Sequence, residues 1–144
     1  VFACGLQGHL ISALNNGVGR TPPMGYSTWY DLGCSPSMNQ SMIRATASSM
    51  IQRGLAAAGY EYVNLDDCFI TPGLGGRTSG TNGTLVPDPK FGGAAGIKEL
   101  STFLHDMKLK FGVYTCRGSK TCVQRAGSRY HEAVDAQTYA DWGV

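Results

Sequence analysis

The sequence has no apolar run long enough to cross a lipid bilayer, and it carries little charge. A transmembrane helix needs about 20 consecutive apolar residues, and no stretch of this 144-residue chain reaches that length. Only 15% of the residues are charged, and the formal net charge is +2. Proteins that bind nucleic acids or anionic membranes concentrate basic residues well beyond this balance. The composition therefore predicts one globular unit with a small neutral partner, and no nucleic acid or membrane as partner.

Several catalytic and binding motifs are also missing. No serine stands in a Gly-x-Ser-x-Gly turn, and the helical pattern places His105 on a polar face, which argues against a nucleophilic triad. The glycine-rich stretch 73–76 lacks the Lys-Ser/Thr that follows in a phosphate-binding loop. Cys116, Cys122 and His131 lack a fourth clustered ligand for structural zinc. The sequence therefore predicts no metal and no cofactor.

The five cysteines are an odd number, so at least one is unpaired within this chain; they are Cys4, Cys34, Cys68, Cys116 and Cys122. If Cys4 belongs to a removed leader, four remain, and their spacing selects none of the three possible pairings. Residues 1–14 are uncharged and moderately apolar, which fits the end of a secretory signal peptide as well as an ordinary N-terminal segment. Sequons at Asn39 and Asn82 fit a secreted glycoprotein.

Short apolar segments alternate with helical patterns along the chain. The segments predicted as strands are 22–28, 60–65 and 110–115. The segments predicted as helices run from Ser35-Pro36 to Gly59, from about 97 to 107, and from 131 to 142. Long connections cover 68–93 and 116–130. This order predicts parallel strands joined by crossover helices, which is the α/β class.

Two α/β architectures fit this order. Residues 15–144 are either a small doubly wound sheet or the first part of a closed barrel of about 250 residues. Gly143 is placed to end the last helix, and Val144 would then begin a fourth strand. That position favours a barrel domain that this chain contains only in part.

Polar and aromatic side chains follow the predicted strands at their carboxyl ends. Asp66 and Asp67 close the second strand, Trp29 follows the first, and Tyr114 lies near the end of the third. Ligands of α/β proteins bind at this edge of the sheet. Neighbouring strand residues point to opposite sides, so one aspartate is expected to face a ligand while the other turns into an adjoining loop. The alternatives are a solvated strand end for the aspartates, and simple packing for the aromatic rings.

A run of basic residues without an intervening acid follows the second helix; it consists of Lys108, Lys110, Arg117, Lys120, Arg125 and Arg129. The run spans a helix end, a strand and a loop, and no stacking platform accompanies it. The sequence therefore favours a solvated rim over an RNA-binding site.

Several blocks of this chain closely resemble the melibiase-type α-galactosidases, family 27 of the glycoside hydrolases. The two strongest are RTPPMGYSTW at 20–29 and YVNLDDC at 62–68. Further blocks follow in the family's order and spacing; they are GTLVP at 83–87, Phe91, GIK at 96–98, FGVY at 111–114, KTC at 120–122 and DAQTYADWGV at 135–144. The resemblance covers residues 20–144.

The resemblance implies the first three βα units of an eight-stranded TIM barrel, truncated at the start of strand four. It implies hydrolysis of terminal α-linked galactose with retention of configuration. Retention uses two carboxylates roughly 5 Å apart, and in the family both are aspartates that lie beyond the position of Val144. The catalytic residues are therefore expected outside this chain. The partner implied is a small-molecule or oligosaccharide α-galactoside, and the location is secreted, lysosomal or vacuolar.

The resemblance also assigns roles to individual residues. Asp66 and Asp67 match a pair that hydrogen-bonds the sugar hydroxyls, Trp29 matches an active-site tryptophan, and Tyr114 matches a tyrosine that lines the pocket. Charged acceptors of this kind discriminate sugar epimers, because a misplaced hydroxyl leaves them unpaired at a cost of about 1–3 kcal/mol.

The cysteines too are assigned by the resemblance. Cys34 and Cys68 match a family disulfide, and Cys122 matches a cysteine whose partner follows the nucleophile. Cys116 and Arg117 stand where many members have an acid and a small residue, which leaves the sugar preference open. An α-N-acetylgalactosaminidase, an arabinopyranosidase and a non-catalytic sugar-binding remnant therefore remain alternatives.

Overall fold

Three short strands lie side by side in a parallel sheet, with helices in the connections between them. The computed structural model describes residues 17, 19–79 and 83–144. The elements in chain order are β1 (Gly25–Ser27), α1 (Thr28–Asp31), α2 (Gln40–Gln52), β2 (Tyr62–Leu65), α3 (Gly93–Asp106), β3 (Lys110–Val113) and α4 (Glu132–Trp142). The predicted leader 1–14, Cys4 and the sequon at Asn82 lie outside the described residues.

The sheet has the order β1-β2-β3, and both pairings are parallel. Val63 and Leu65 on β2 are fully buried, whereas the alternating positions Tyr62 and Asn64 are half-buried. The buried pair belongs to one apolar cluster with side chains from α2 and α3; these include Ile43, Ala47, Met50, Ile97, Leu100 and Leu104. The prediction of an α/β chain with crossover helices is therefore confirmed.

The helix α2 is shorter at both ends than its sequence pattern predicts. It begins at Gln40 because Asn39, rather than Ser35 or Ser37, caps it: the Asn39 Oδ1 accepts the Met42 N–H at 3.0 Å. It ends at Gln52 because Gly54 adopts a left-handed backbone with φ of 74°. The Leu55 N–H then donates back to the Met50 carbonyl at 2.9 Å, as in a glycine-terminated helix.

The first strand is also shorter than predicted. Residues 22–24 lie outside β1, and Thr28 begins the short helix α1 instead of ending the strand. The chain turns there because the buried Thr28 side chain accepts a hydrogen bond from the Asp66 N–H at 2.9 Å. Gly25 allows the close pairing with β2, since a Cβ at that position would lie 2.2 Å from the Tyr62 carbonyl oxygen.

The remaining predicted elements are found with small changes at their ends. Strand β2 begins two residues later than predicted, and β3 ends at Val113, two residues earlier. The prediction that Gly143 ends the last helix is confirmed, because it adopts the left-handed conformation as the C-cap of α4. The Val144 N–H donates to the Tyr139 carbonyl at 3.0 Å, and no fourth strand forms in the described residues.

His105 is exposed, as predicted. No helix in the described part of the chain is long and apolar enough to cross a membrane.

The connection between β2 and α3 is held by a buried ion pair with α4. The Arg77 guanidinium donates to both carboxylate oxygens of Asp135 at 2.7 Å, and the two side chains are only 15% and 2% exposed. The same guanidinium donates to the carbonyls of Gly83 and Gly127, both at 2.7 Å. One side chain thus joins the β2–α3 connection, the β3–α4 connection and α4.

We expect Asp135→Asn to lower the free energy of unfolding of the full-length gene product by about 3–5 kcal/mol, because it leaves a buried guanidinium without its counter-charge. Chemical denaturation of both proteins measures this loss. Asp141→Asn is the matched control on the exposed side of the same helix, and we expect it to change stability by less than about 0.5 kcal/mol. Equal stability of Asp135→Asn and wild type would contradict the structural role of the pair.

A disulfide joins the segments that follow β1 and β2. Cys34 and Cys68 are bonded, with their Cα atoms 5.4 Å apart and a sequence separation of 34 residues. This confirms the pairing that the family resemblance implied. The bond ties two strand ends at the edge of the sheet where the polar residues cluster.

Replacing both bonded cysteines with serine should lower the free energy of unfolding by about 3–4 kcal/mol, because a closed loop of this length restricts the unfolded chain. Chemical denaturation of the full-length gene product with and without the two substitutions measures this loss. Cys116→Ser serves as control, since Cys116 carries a free thiol. A loss in the double variant no larger than in this control would count against the disulfide.

Candidate functional site

The residues predicted to follow the three strands all lie at the carboxyl ends of those strands. The register pairs Ser27 with Asn64 and Leu65 with Val113, so the residues that follow each strand are neighbours. The Tyr114 N–H donates to the Leu65 carbonyl at 2.8 Å and continues this register past β3. Parallel topology therefore brings together Trp29 after β1, Asp66 and Asp67 after β2, and Tyr114 after β3.

Asp66 lies between the ends of β1 and β2 and is half-buried. Its Oδ1 accepts the Asp67 N–H at 2.7 Å, and its Oδ2 lies at a long 3.4 Å from the Ser27 hydroxyl. Its own N–H donates to Thr28. A carboxylate offers about four acceptor positions, so these contacts orient the Asp66 side chain and leave acceptor capacity for a ligand hydroxyl.

Asp67 is held much more tightly than Asp66. It is 3% exposed. Its Oδ1 accepts the Cys68 N–H and the Thr121 hydroxyl, both at 2.9 Å, and its Oδ2 accepts the Val123 N–H at 3.2 Å. Asp67 therefore turns into an adjoining loop, the one between β3 and α4, as the alternation of strand side chains allows for one of the two aspartates. Three donors leave about one acceptor position on Oδ2.

Thr121 is a functional candidate that the sequence analysis did not find. Its hydroxyl donates to Asp67 and accepts the Arg125 N–H at 3.0 Å. Its main chain pairs with Arg125 in the opposite direction, since the Thr121 N–H donates to the Arg125 carbonyl at 3.0 Å. A threonine 54 residues from its acceptor leaves no local pattern in the sequence, so this contact required the tertiary structure.

Tyr114 places its phenol hydroxyl beside the thiol of Cys122. The Oη and Sγ atoms are 3.5 Å apart. The pKa of Tyr114 is raised to about 12. The largest cause is this hydrogen bond; partial burial and the nearby Cys122, Asp67 and Cys116 contribute less. A phenol of ordinary pKa is already protonated at neutral pH, and this shift does not change that, so Tyr114 can donate a hydrogen bond.

The remaining predicted site residues are exposed or carry free thiols. Trp29 lies in α1 and is 40% exposed, so a face of its ring is available to an apolar surface. Cys116 and Cys122 are both free cysteines. The Cys116 thiol donates to the Lys120 carbonyl at 3.0 Å within the β3–α4 connection. Across the described residues, no group of three or more His, Cys, Asp or Glu side chains is arranged to hold a metal ion.

Comparison with known proteins points to one family. The family model described as alpha galactosidase A matches residues 21–144. A "Probable alpha-galactosidase" of Dictyostelium discoideum is 46% identical over 134 residues, which is 93% of this chain and 32% of that protein.

Two solved structures agree with this match. Alpha-galactosidase I from Mortierella vinacea is 36% identical with a TM-score of 0.78, over 91% of this chain and 31% of that one. The α-galactosidase from Saccharomyces cerevisiae with raffinose is 35% identical with a TM-score of 0.78, over 90% of this chain and 26% of that one.

This chain therefore spans about a third or less of the length of the relatives that it matches. The family match nevertheless covers almost all of the described residues, including every strand end of the candidate site. The chain belongs to the alpha galactosidase A, or melibiase-type, family.

Proposed function

We propose that the full-length gene product hydrolyses terminal α-linked galactose with retention of configuration. The observation that carries this proposal is the half-buried Asp66 carboxylate in a chain of this family. It lies at the carboxyl ends of the parallel strands and keeps acceptor capacity for a ligand hydroxyl. Raffinose in the Saccharomyces cerevisiae structure supports an oligosaccharide α-galactoside as the substrate.

Residues 15–144 are proposed to form the first three βα units of an eight-stranded barrel domain. Eight parallel strands close such a barrel, and its active site lies at the carboxyl ends of the strands. Within the described residues, β1 and β3 each have one strand neighbour, which leaves both edges of the sheet free to pair with further strands. The alternative of a small doubly wound sheet is not favoured by this family membership.

Four side chains are proposed to form one wall of the galactose pocket. Asp66 and the remaining acceptor position of Asp67 would bind sugar hydroxyls, and the protonated phenol of Tyr114 would donate to one. The exposed ring of Trp29 would pack against the C–H face of the sugar. A misplaced hydroxyl would leave a charged acceptor unpaired, and this selects among epimers.

The bond-breaking step needs two further carboxylates. A retaining glycosidase places a nucleophile and an acid/base group about 5 Å apart on either side of the scissile bond. Asp67 is unsuited to either role because three internal donors already hold its carboxylate. Both catalytic aspartates are therefore proposed to lie outside these 144 residues, and this chain supplies binding and orientation.

The location proposed is secreted, lysosomal or vacuolar, with glycans at Asn39 and Asn82. The Cys34–Cys68 disulfide supports this location, because such bonds persist in oxidising compartments. Asn39 also caps α2 through its Oδ1. A glycan attached at Nδ2 would leave that acceptor in place.

The proposed activity is tested by assaying the full-length gene product against three nitrophenyl glycosides: α-galactoside, α-N-acetylgalactosaminide and β-arabinopyranoside. We expect fastest turnover of the galactoside, with the α-anomer as the first product seen by NMR. Faster turnover of either other glycoside would indicate that its sugar, and not galactose, is the one that the enzyme releases. Absence of turnover of all three would favour the non-catalytic sugar-binding alternative.

In the same protein we expect Asp66→Asn to lower kcat/KM for the galactoside about ten- to a hundredfold, because a neutral acceptor binds a hydroxyl less well than a charged one. The thermal midpoint should change little, since among the described residues only the weak Ser27 contact and the Asp67 N–H depend on this carboxylate.

Asp106→Asn is the matched control. Asp106 is exposed at the end of α3 that leads into β3, away from the carboxyl ends of the strands, and its replacement should leave kcat/KM within about twofold of wild type. Wild-type kinetics for Asp66→Asn would mean that Asp66 is only a solvated strand end.

A further inference from the structure

A basic cleft of about 350 Å³ lies between the two loops that rise from β2 and β3. One wall comes from the turn at Gly73–Gly76 and the following Arg77, and the other from residues 119–131. The cleft is lined by the side chains of Lys120, Arg125 and Arg129, and by those of Leu74, Tyr130 and His131. Among the described residues, no acidic side chain lines it.

The absence of acids extends to both loops. The sequence contains no Asp or Glu from 68 to 87, and none from 107 to 131. Arg77 is neutralised by Asp135, but within the described residues no carboxylate forms an ion pair with Lys120, Arg125 or Arg129. The cleft therefore presents three positive charges that no ion pair among residues 19–79 and 83–144 balances.

Arg125 lines this cleft and keeps one N–H group without an internal partner in the described part of the chain. Its Nε is buried and has no hydrogen-bond partner among the described residues. Outside the cleft, the pKa of Lys90 is lowered chiefly by burial; Asp88 opposes this shift, and Arg125 adds a smaller lowering effect.

The cleft is linked directly to the candidate sugar pocket. Lys120 and Ala126 form an antiparallel bridge, and Thr121 closes this hairpin by bonding Arg125. The same Thr121 hydroxyl donates to Asp67. Lys120 and Arg125 therefore lie one and four residues along the chain from Thr121, whose side chain contacts Asp67.

We propose that this cleft is a subsite for an anionic group, a sulfate ester or a uronate carboxylate, on the sugar next to the terminal galactose. This inference rests on the proposed function, because the galactose pocket positions the neighbouring sugar. Guanidinium groups bind sulfate and carboxylate through paired N–H donors. The side chains of Leu74 and Tyr130 are 102% and 81% exposed, and they offer apolar surface for the sugar ring that carries the charge.

The test compares three α-galactosyl disaccharides that differ only in the second sugar, which is neutral galactose, galactose sulfate or galacturonate. For the full-length gene product we expect at least one acidic disaccharide to have a kcat/KM about fivefold or more above the neutral one. This preference should weaken as salt is raised, because the charges of the cleft are partly exposed.

Substitutions then assign the preference to the cleft. Arg125→Gln and Lys120→Gln should each lower the ratio of acidic to neutral kcat/KM by about fivefold. Lys98→Gln removes one exposed positive charge on α3, outside the cleft, and should leave that ratio unchanged. An equal loss in Lys98→Gln would indicate a general charge effect and overturn the assignment.

The remaining outcomes separate this inference from the proposed function. Turnover of the neutral disaccharide without any acidic preference would overturn the anionic subsite and leave the galactosidase proposal intact. If no disaccharide is cleaved, the proposed function fails, and the subsite is then judged by binding of galactose sulfate and galacturonate against galactose. Equal binding of all three would overturn it. A preference for sulfate alone or for uronate alone identifies which anion the cleft takes.

Discussion

The buried carboxylate of Asp67 is the constraint on which the candidate site depends. An ionised group with 3% exposure is tolerated only if its lone pairs are occupied by donors. Here the donors come from its own turn and from Thr121 and Val123 in another connection. The cost of burying the charge is therefore offset only when the β3–α4 loop closes over the end of β2.

A second buried charge pair holds the outer part of the same loops. Arg77 reaches from the β2–α3 connection to Asp135 on α4 and to two main-chain carbonyls. The same loops line a cleft whose other cations, Lys120, Arg125 and Arg129, form no ion pair within the part of the chain that the structure describes. Asp67 and Asp135 are engaged inside these two networks, so neither carboxylate balances the other cations of the cleft.

The sheet itself follows from local pattern. Short apolar segments with buried alternation at Val63 and Leu65, separated by helical stretches, specify parallel strands, and parallel strands bring their carboxyl ends to one edge. The sequence pattern alone therefore predicts that Trp29, Asp66 and Tyr114 lie together. The ends of the elements were predicted less well, because Asn39 and Gly54 set the ends of α2 through capping that competes with neighbouring serines and glycines.

The sequence by itself determined the class of fold, the family, the sheet edge that carries the site and the pairing implied for Cys34 and Cys68. These depend on residue order and on blocks of residues that are contiguous in the chain. Only the tertiary structure decided that donors from Thr121 and Val123 hold Asp67 while Asp66 keeps acceptor capacity. It also decided that cations distant in the sequence line one cleft. Hydrogen bonds across 54 residues and ion pairs across 58 depend on how loops fold back over the sheet, and no local periodicity encodes that path.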